Sequence, residues 1–254
     1  MNAARFPSKP LTQIGEHTLL GWTILAVKAC RALDQVVVAT TTADTDAAIC
    51  AHAAAYGVQS LRGNEEDVLD RYIQCARAFD ADVIVRVSGD SPLWSAWVGD
   101  YVTRQYLMRR VDYASNCIRD VFPLGVQVEV FSRQALEASV ALADLATDHE
   151  HVTPALRRHY PRFSAFSVLA PPELHRPQYR LCVDTEEDHA VVSELFHRVS
   201  HGPDLPPDLL ALCRELDGDP DLRSRNERVV QKYKTGRDIG VEVPSTVMPL
   251  SCQR

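Results

Sequence analysis

Short apolar runs alternate along this chain with longer amphipathic ones. Residues 35–41 (QVVVATT) form a near-continuous β-branched run, the pattern of a strand buried on both faces of a parallel sheet. Upstream, Leu19, Leu20, Ile24, Val27 and Leu33 recur at helical spacing. Downstream, Asp44 is placed to cap a helix running through the alanines to Tyr56, where Gly57 ends it and a short strand starts over 58–61. Residues 65–79 predict a helix with acids in its first turn, 82–88 (DVIVRVS) a strand, and 95–109 a helix. The second half predicts strands over 112–115, 126–131, 164–169 and 179–183, and helices over 133–143, 149–160 and 186–199.

This βαβ alternation predicts an α/β fold, a three-layer α/β/α sandwich around a mixed, mostly parallel sheet. The Pro-rich stretch 202–207 separates a main domain, 1–201, from a C-terminal extension, 202–254. Two short helices and a tail of Val, Pro and Ser, expected to be loosely held, make up that extension.

At 254 residues the chain is long enough to bury a full core without covalent staples. Its net charge of −7 excludes a protein whose main task is coating nucleic acid, yet leaves room for a local basic pocket that holds phosphates. Seven cysteines without a CxxC pair, several inside apolar runs, read as buried thiols of a reducing compartment. No apolar stretch approaches the ~20 residues of a membrane span, and the N-terminus has no apolar signal core. A cytoplasmic protein without membrane or nucleic-acid partners is expected.

In open α/β sheets, ligands bind beyond the carboxyl ends of the strands. Three segments fall there. SGDSPL (88–93) follows an apolar strand, with Gly89 permitting the turn and Pro92 stopping the strand, so Asp90 sits at the sheet rim. LCVDTEED (181–188) delivers Asp184 in the same way, with Thr185 and Asp188 spaced as a capping box. Singly, each acid reads equally as a turn or helix cap. As a pair, two rim carboxylates suit one Mg²⁺, which takes few carboxylates and completes its shell with water and phosphate oxygens. The third segment, RFPSKPL (5–11), is a Pro-rigid turn carrying Arg5 and Lys9 ahead of a helix, able to hold a polyphosphate or to be a plain basic terminus. The charged run RGNEEDVLDRY (62–72) reads partly as i,i+4 pairs, and His149-Glu150-His151 lacks zinc-helix spacing. No P-loop, GxSxG elbow or GxGxxG fingerprint is present.

RGNEEDVLDRY (62–72), ADVIVRVSGDSPL (81–93), VQVEVFSRQAL (126–136), HEHVTPALRRH (149–159) and LCVDTEEDHAVV (181–192) together resemble the spore-coat-polysaccharide-type cytidylyltransferases, relatives of acylneuraminate and deoxyoctulosonate cytidylyltransferases. The resemblance covers about residues 5–235 and extends to Asp219, Asn226 and Gln231 near the end. It implies a nucleotide-diphosphosugar-transferase-like, Rossmann-like fold. It also implies Mg²⁺ as cofactor, CTP as donor, a sugar-acid-like acceptor, release of pyrophosphate, a role in glycan or secondary-metabolite biosynthesis, and a homodimer. Carried over by motif, Asp90 and Asp184 match the metal acids, and Arg5, Ser8 and Lys9 the phosphate loop. Arg62, Asp67 and Arg71 match the nucleotide pocket, and Glu129, Glu150 and His151 the acceptor side.

Three departures stand out. The family's first apolar strand is absent, which predicts a gap inside the sheet. Ser8 replaces a loop Gly, and Gln127 replaces an Asp of the acceptor motif. Hence two alternatives: a nucleotide-binding or scaffolding relative without turnover, or a nucleotidyltransferase using another nucleoside triphosphate.

Overall fold

The computed structural model describes residues 9–231 and 242–253. A short 3₁₀ turn, Lys9–Leu11, leads into the hairpin β1 (Gln13–Ile14) and β2 (His17–Thr18), and Thr18 caps helix α1 (Leu19–Lys28) by accepting from the Gly21 N–H. Strand β3 (Val37–Thr41), helix α2 (Ala47–Ala55) and strand β4 (Gln59–Gly63) form a parallel βαβ unit, with Gly57 at positive φ just after α2. Helix α3 (Val68–Ala78), strand β5 (Val83–Arg86), helix α4 (Ala96–Arg109) and strand β6 (Tyr113–Ser115) follow. The remaining elements are β7 (Glu129–Ser132), α5 (Arg133–Ser139), α6 (Ala146–His151), α7 (Pro154–Arg158), β8 (Ala165–Leu169), α8 (Glu186–Arg198), α9 (Leu209–Gly218), α10 (Pro220–Glu227) and β9 (Ser245–Val247).

The larger sheet runs β5-β7-β6-β8-β9, with β7 antiparallel to both neighbours and β6, β8 and β9 parallel. Period-two alternation splits its side chains between two apolar layers. Ala114, Val130, Phe166 and Val168 face a core shared with Trp22 of α1, Val98 and Val102 of α4, and Val191 and Leu195 of α8. Tyr113, Phe131 and Ala165 face the other layer, with Leu69 and Ile73 of α3, Leu136 of α5 and Leu156 of α7. The sheet is therefore the middle of a three-layer α/β/α sandwich, as the alternation of elements predicts.

Among the described residues β3 and β4 pair only with each other, so the sheet is in two parts. Helix α1 ties the parts together. Its Leu20 and Ile24 pack on Ile49, Ala53 and Val58 beside β3, while Trp22 and Ala26 sit in the main core. The residues of β3 and β5 are largely half-buried, less enclosed than the fully buried strands the β-branched runs predict.

Four expectations are corrected. The stretch 179–183 makes only the bridge Leu124↔Arg180 among the described residues, because its backbone docks on the 124–125 turn rather than on a strand edge. The helix expected over 149–160 is two short helices broken at Val152, whose φ of 74° interrupts the helical hydrogen bonds. Asp46, not Asp44, organises the start of α2: its carboxylate accepts from both threonine hydroxyls at the end of β3, Thr40 and Thr41, and from the Thr41 N–H. The described part of the tail is held, since β9 extends the sheet beside β8. The helices after 202–207 join the main core through Leu209, Leu212, Leu216 and Leu222.

Candidate active site

Asp90 lies on the turn that follows β5, and Asp184 on the extended segment that leads into α8. The two turns are joined directly by the backbone, the Val183 N–H donating to the Asp90 carbonyl at 2.9 Å. Their carboxylates converge on one cation. The Lys9 Nζ donates to Asp90 Oδ2 and to Asp184 Oδ1, each at 3.2 Å. The lysine side chain is 6% exposed and the two carboxylates 25% and 20%, so the acids open to solvent while the ammonium lies beneath them. Burial opposes the charge on Lys9, but Asp90 and Asp184 outweigh it and raise its pKa.

A second set of groups fixes Asp184. Arg180 lies 2.9 Å from the fully buried Asp188, which it grips through two nitrogens, and its Nη2 also reaches Asp184 at 3.3 Å. Asp188 Oδ2 accepts from the Asp184 N–H, and Asp188 Oδ1 from the Asn226 side chain of α10. Gln231 accepts from the free arm of Arg180. Thus half of the expected capping box forms, Thr185 accepting from the Asp188 N–H, while the Asp188 carboxylate turns to Arg180 instead. Sequence reasoning saw Asp188 only as a cap and missed Arg180 altogether. The one available signal was an arginine inside an otherwise apolar run, YRLCV.

A separate buried cluster is built around Glu129. It pairs across the sheet with Arg86, and its carboxylate accepts from Arg86, Arg157 (3.0 Å), Tyr113 (2.8 Å) and Thr153. Burial works against the charge on Glu129, but Arg86 and Arg157 overcome it and hold its pKa below the ordinary value. At 2% exposure Glu129 is an internal brace, and its partner Arg86 keeps an Nε that is buried without a hydrogen-bond partner. Next to it the chain makes a tight turn, the Thr153 N–H donating to the His151 carbonyl around Val152. A β-branched residue at φ 74° is strained there, and the strain is carried by the surrounding packing, since Val152 is fully buried. His151 is half-buried and Glu150 exposed. Burial lowers the His151 pKa, with Arg86 and Arg157 acting in the same direction against the opposing charges of Glu150 and Glu129.

The remaining candidates are engaged in local structure. Arg62 donates to the carbonyls of Thr41, Thr42 and Ala43, clamping the loop beyond β3. Arg71 covers Gly63 with its aliphatic stem and donates to the Asn64 carbonyl. Its Nε is buried without a partner. Asp67 caps α3 and binds His149 at 2.9 Å, linking α3 to α6. Arg5 and Ser8 lie outside the described residues. Six described cysteines are free thiols.

Among the described residues no three His, Cys, Asp or Glu side chains converge as a metal cage. Asp90 and Asp184 nevertheless fit Mg²⁺. Both already point at one positive centre, both are partly open to solvent, and such an ion commonly takes one or two protein carboxylates with water and phosphate oxygens supplying the rest.

The cytidylyltransferase family profile matches residues 1–217, which include Asp90, Asp184, Arg180, Asp188 and Glu129. The chain belongs to the cytidylyltransferase family. It is 33% identical to an uncharacterized protein of Methanocaldococcus jannaschii over 90% of this chain and 91% of that one. It is 30% identical to the spore coat polysaccharide biosynthesis protein SpsF of Bacillus subtilis over 89% and 95% of the two chains. Among solved structures it resembles a cytidylyltransferase from Leptospira borgpetersenii, with a TM-score of 0.80, 26% identity and coverage of 90% and 94%. In this cytidylyltransferase the two carboxylates lie on joined turns, Asp90 after β5 and Asp184 before α8. Among the described residues no helix is long and apolar enough to cross a membrane.

Proposed function

We propose that this cytidylyltransferase moves CMP from CTP to a hydroxyl of a sugar-acid-like acceptor and releases pyrophosphate, in the biosynthesis of a surface glycan or related metabolite. The observation that carries the reading is the convergence of Asp90 and Asp184 on a single cationic centre at the carboxyl end of the sheet. In the reaction, the acceptor oxygen forms a bond to the α-phosphorus while the bond from that phosphorus to the bridging oxygen breaks, and pyrophosphate leaves. Mg²⁺ held by Asp90 and Asp184 would supply neutralisation of the charge that develops on the transferred phosphoryl group.

The chain's own residues do the positioning. Lys9 and Arg5 screen the departing phosphates. Arg180 and Asp188 keep the Asp184 carboxylate aimed at the cleft. Arg62 sets the loop beyond β3, which is the nucleotide side in this reading. Arg86, held by Glu129, offers positive charge to an acidic acceptor, and His151 or Glu150 takes the acceptor's proton. Catalysis by such a site rests on orientation and preorganised charge.

The test is pyrophosphate release with Mg²⁺ and a panel of sugar acids, run with CTP, UTP, GTP and dTTP, alongside thermal shifts with each nucleotide. CTP is expected to stabilise the fold most and to support turnover, and Asp90→Asn is expected to fold normally and lose turnover. Full turnover in Asp90→Asn refutes the mechanism. Preference for another nucleotide changes the donor, and no stabilisation by any of the four favours a relative without turnover. Light scattering checks the homodimer expected of the family.

A further inference from the structure

We infer that Lys9 is a tethered substitute for the metal ion: in the nucleotide-free protein its ammonium fills the cation position between Asp90 and Asp184, and it must leave before a divalent ion can enter. The inference rests on the reading of Asp90 and Asp184 as metal ligands. It adds an order to the reaction, in which metal and triphosphate come in together and the lysine passes from the carboxylates to the phosphates.

The geometry supports exchange at one point in space. The Lys9 Nζ is equidistant from one oxygen of each acid, at 3.2 Å. A lysine ammonium is a compact point charge with three donors on a rotatable stem. Two donors are spent on the two carboxylates. The lysine backbone is fixed: the Lys9 carbonyl accepts from the Thr12 N–H, and the Thr12 carbonyl accepts from the Leu19 N–H at the start of α1. The stem can therefore swing while its root stays in place. The acids cannot follow it. Asp184 is held by the Asp188 carboxylate through its N–H and by Arg180 through its side chain, while the Asp90 backbone is held by the Val183 N–H and its Oδ1 accepts from the Ser91 hydroxyl at 3.3 Å.

Electrostatics make the two occupants exclusive. The two carboxylates carry two negative charges, already shared with Lys9 and, at Asp184, with Arg180. A divalent ion bound there with the ammonium still in place would stand within a few ångströms of a like charge in a partly buried site, where repulsion is strong. A triphosphate resolves the conflict, since it offers the ammonium a new anionic partner and the metal its missing oxygens. Without nucleotide, Lys9 protects the two acids from mutual repulsion and from adventitious metal.

The test uses Mn²⁺ binding, followed by electron paramagnetic resonance, to the full chain. Nucleotide-free wild type is expected to bind Mn²⁺ weakly. Lys9→Met is expected to bind it more tightly, on the order of tenfold or more, because a like charge beside the site is gone. The double variant Lys9→Met/Asp90→Asn is expected to lose that gain. If Lys9→Met binds no better than wild type while wild type with CTP does bind Mn²⁺, the metal site stands and the exchange is wrong. If neither binds, the metal reading itself fails and the exchange with it. A second measurement needs no variant. Acetylation of Lys9, read by mass spectrometry against the exposed Lys28, is expected to rise when Mn²⁺ alone saturates the wild-type protein, and unchanged labelling overturns the exchange.

Discussion

Asp188→Asn removes one negative charge from a place where water cannot replace it. Asp188 is fully buried and the Arg180 side chain is 6% exposed. The aspartate carboxylate receives the Arg180 Nε and Nη2, the Asn226 amide and the Asp184 N–H. The asparagine keeps the volume and one acceptor, but leaves the guanidinium charge with only the more distant Asp184 carboxylate, beside the neutral acceptor of Gln231. Breaking a buried ion pair by removing one partner costs about 3–5 kcal/mol. For a chain of this size that is a fall of roughly 6–20 °C in Tm, at about 2–4 °C per kcal/mol. Urea unfolding followed by circular dichroism measures the loss directly, and an unchanged m-value keeps the comparison two-state. The decisive arm is the double variant Arg180→Met/Asp188→Leu. If the single loss is the stranded charge, the double variant is more stable than Asp188→Asn, because neither partner remains to be stranded. A single loss below about 1 kcal/mol, or a double variant as unstable as the two singles combined, refutes the reasoning.

Two further predictions use other parts of the same site. The hydrogen bond to Asp67 raises the His149 pKa, so its stabilising contribution is full below the unfolded value near 6.5 and is lost as pH rises through the higher folded value. Both side chains are about a third exposed, so His149→Gln is expected to cost only about 0.5 kcal/mol at pH 5.5 and nothing measurable at pH 9, and an equal loss at both pH values contradicts it. Gly125 has φ 107°, and an added Cβ would stand 2.6 Å from Cys182 N and Leu181 C, backbone that leads directly to Asp184. Gly125→Ala is therefore expected to cost about 3 kcal/mol or more in equilibrium unfolding, and a loss within about 0.5 kcal/mol shows that this contact is not rigid.

Local pattern settled the elements whose residues repeat at one period. The run 35–41 contains β3 because β-branched side chains suit a pleated surface, and the helices expected from 95 and 186 start within a residue of those positions, while the one expected from 65 starts at Val68. Asp90 and Asp184 were legible because each stands after an apolar run, where open α/β sheets place polar groups at the rim beyond the strand ends. What joins them was not legible. Lys9 lies 81 residues from Asp90 and 175 from Asp184, and no local rule pairs groups that far apart. The same holds for Arg180, whose charge inside an apolar run gains its meaning from Asp188 and from Asn226 on a helix of the C-terminal extension. Glu129 shows the opposite error. Its motif suggested a group facing a ligand, whereas the pairing of β5 with β7 sets it against Arg86 and the packing of α7 adds Arg157. Sequence by itself determined the alternation of elements, the layered class and the identity of the two rim acids, because these depend on neighbours a few residues apart. Only tertiary structure decided which charges are neutralised and by whom, because an ion pair depends on distance in space and on exclusion of water, and both are set by packing.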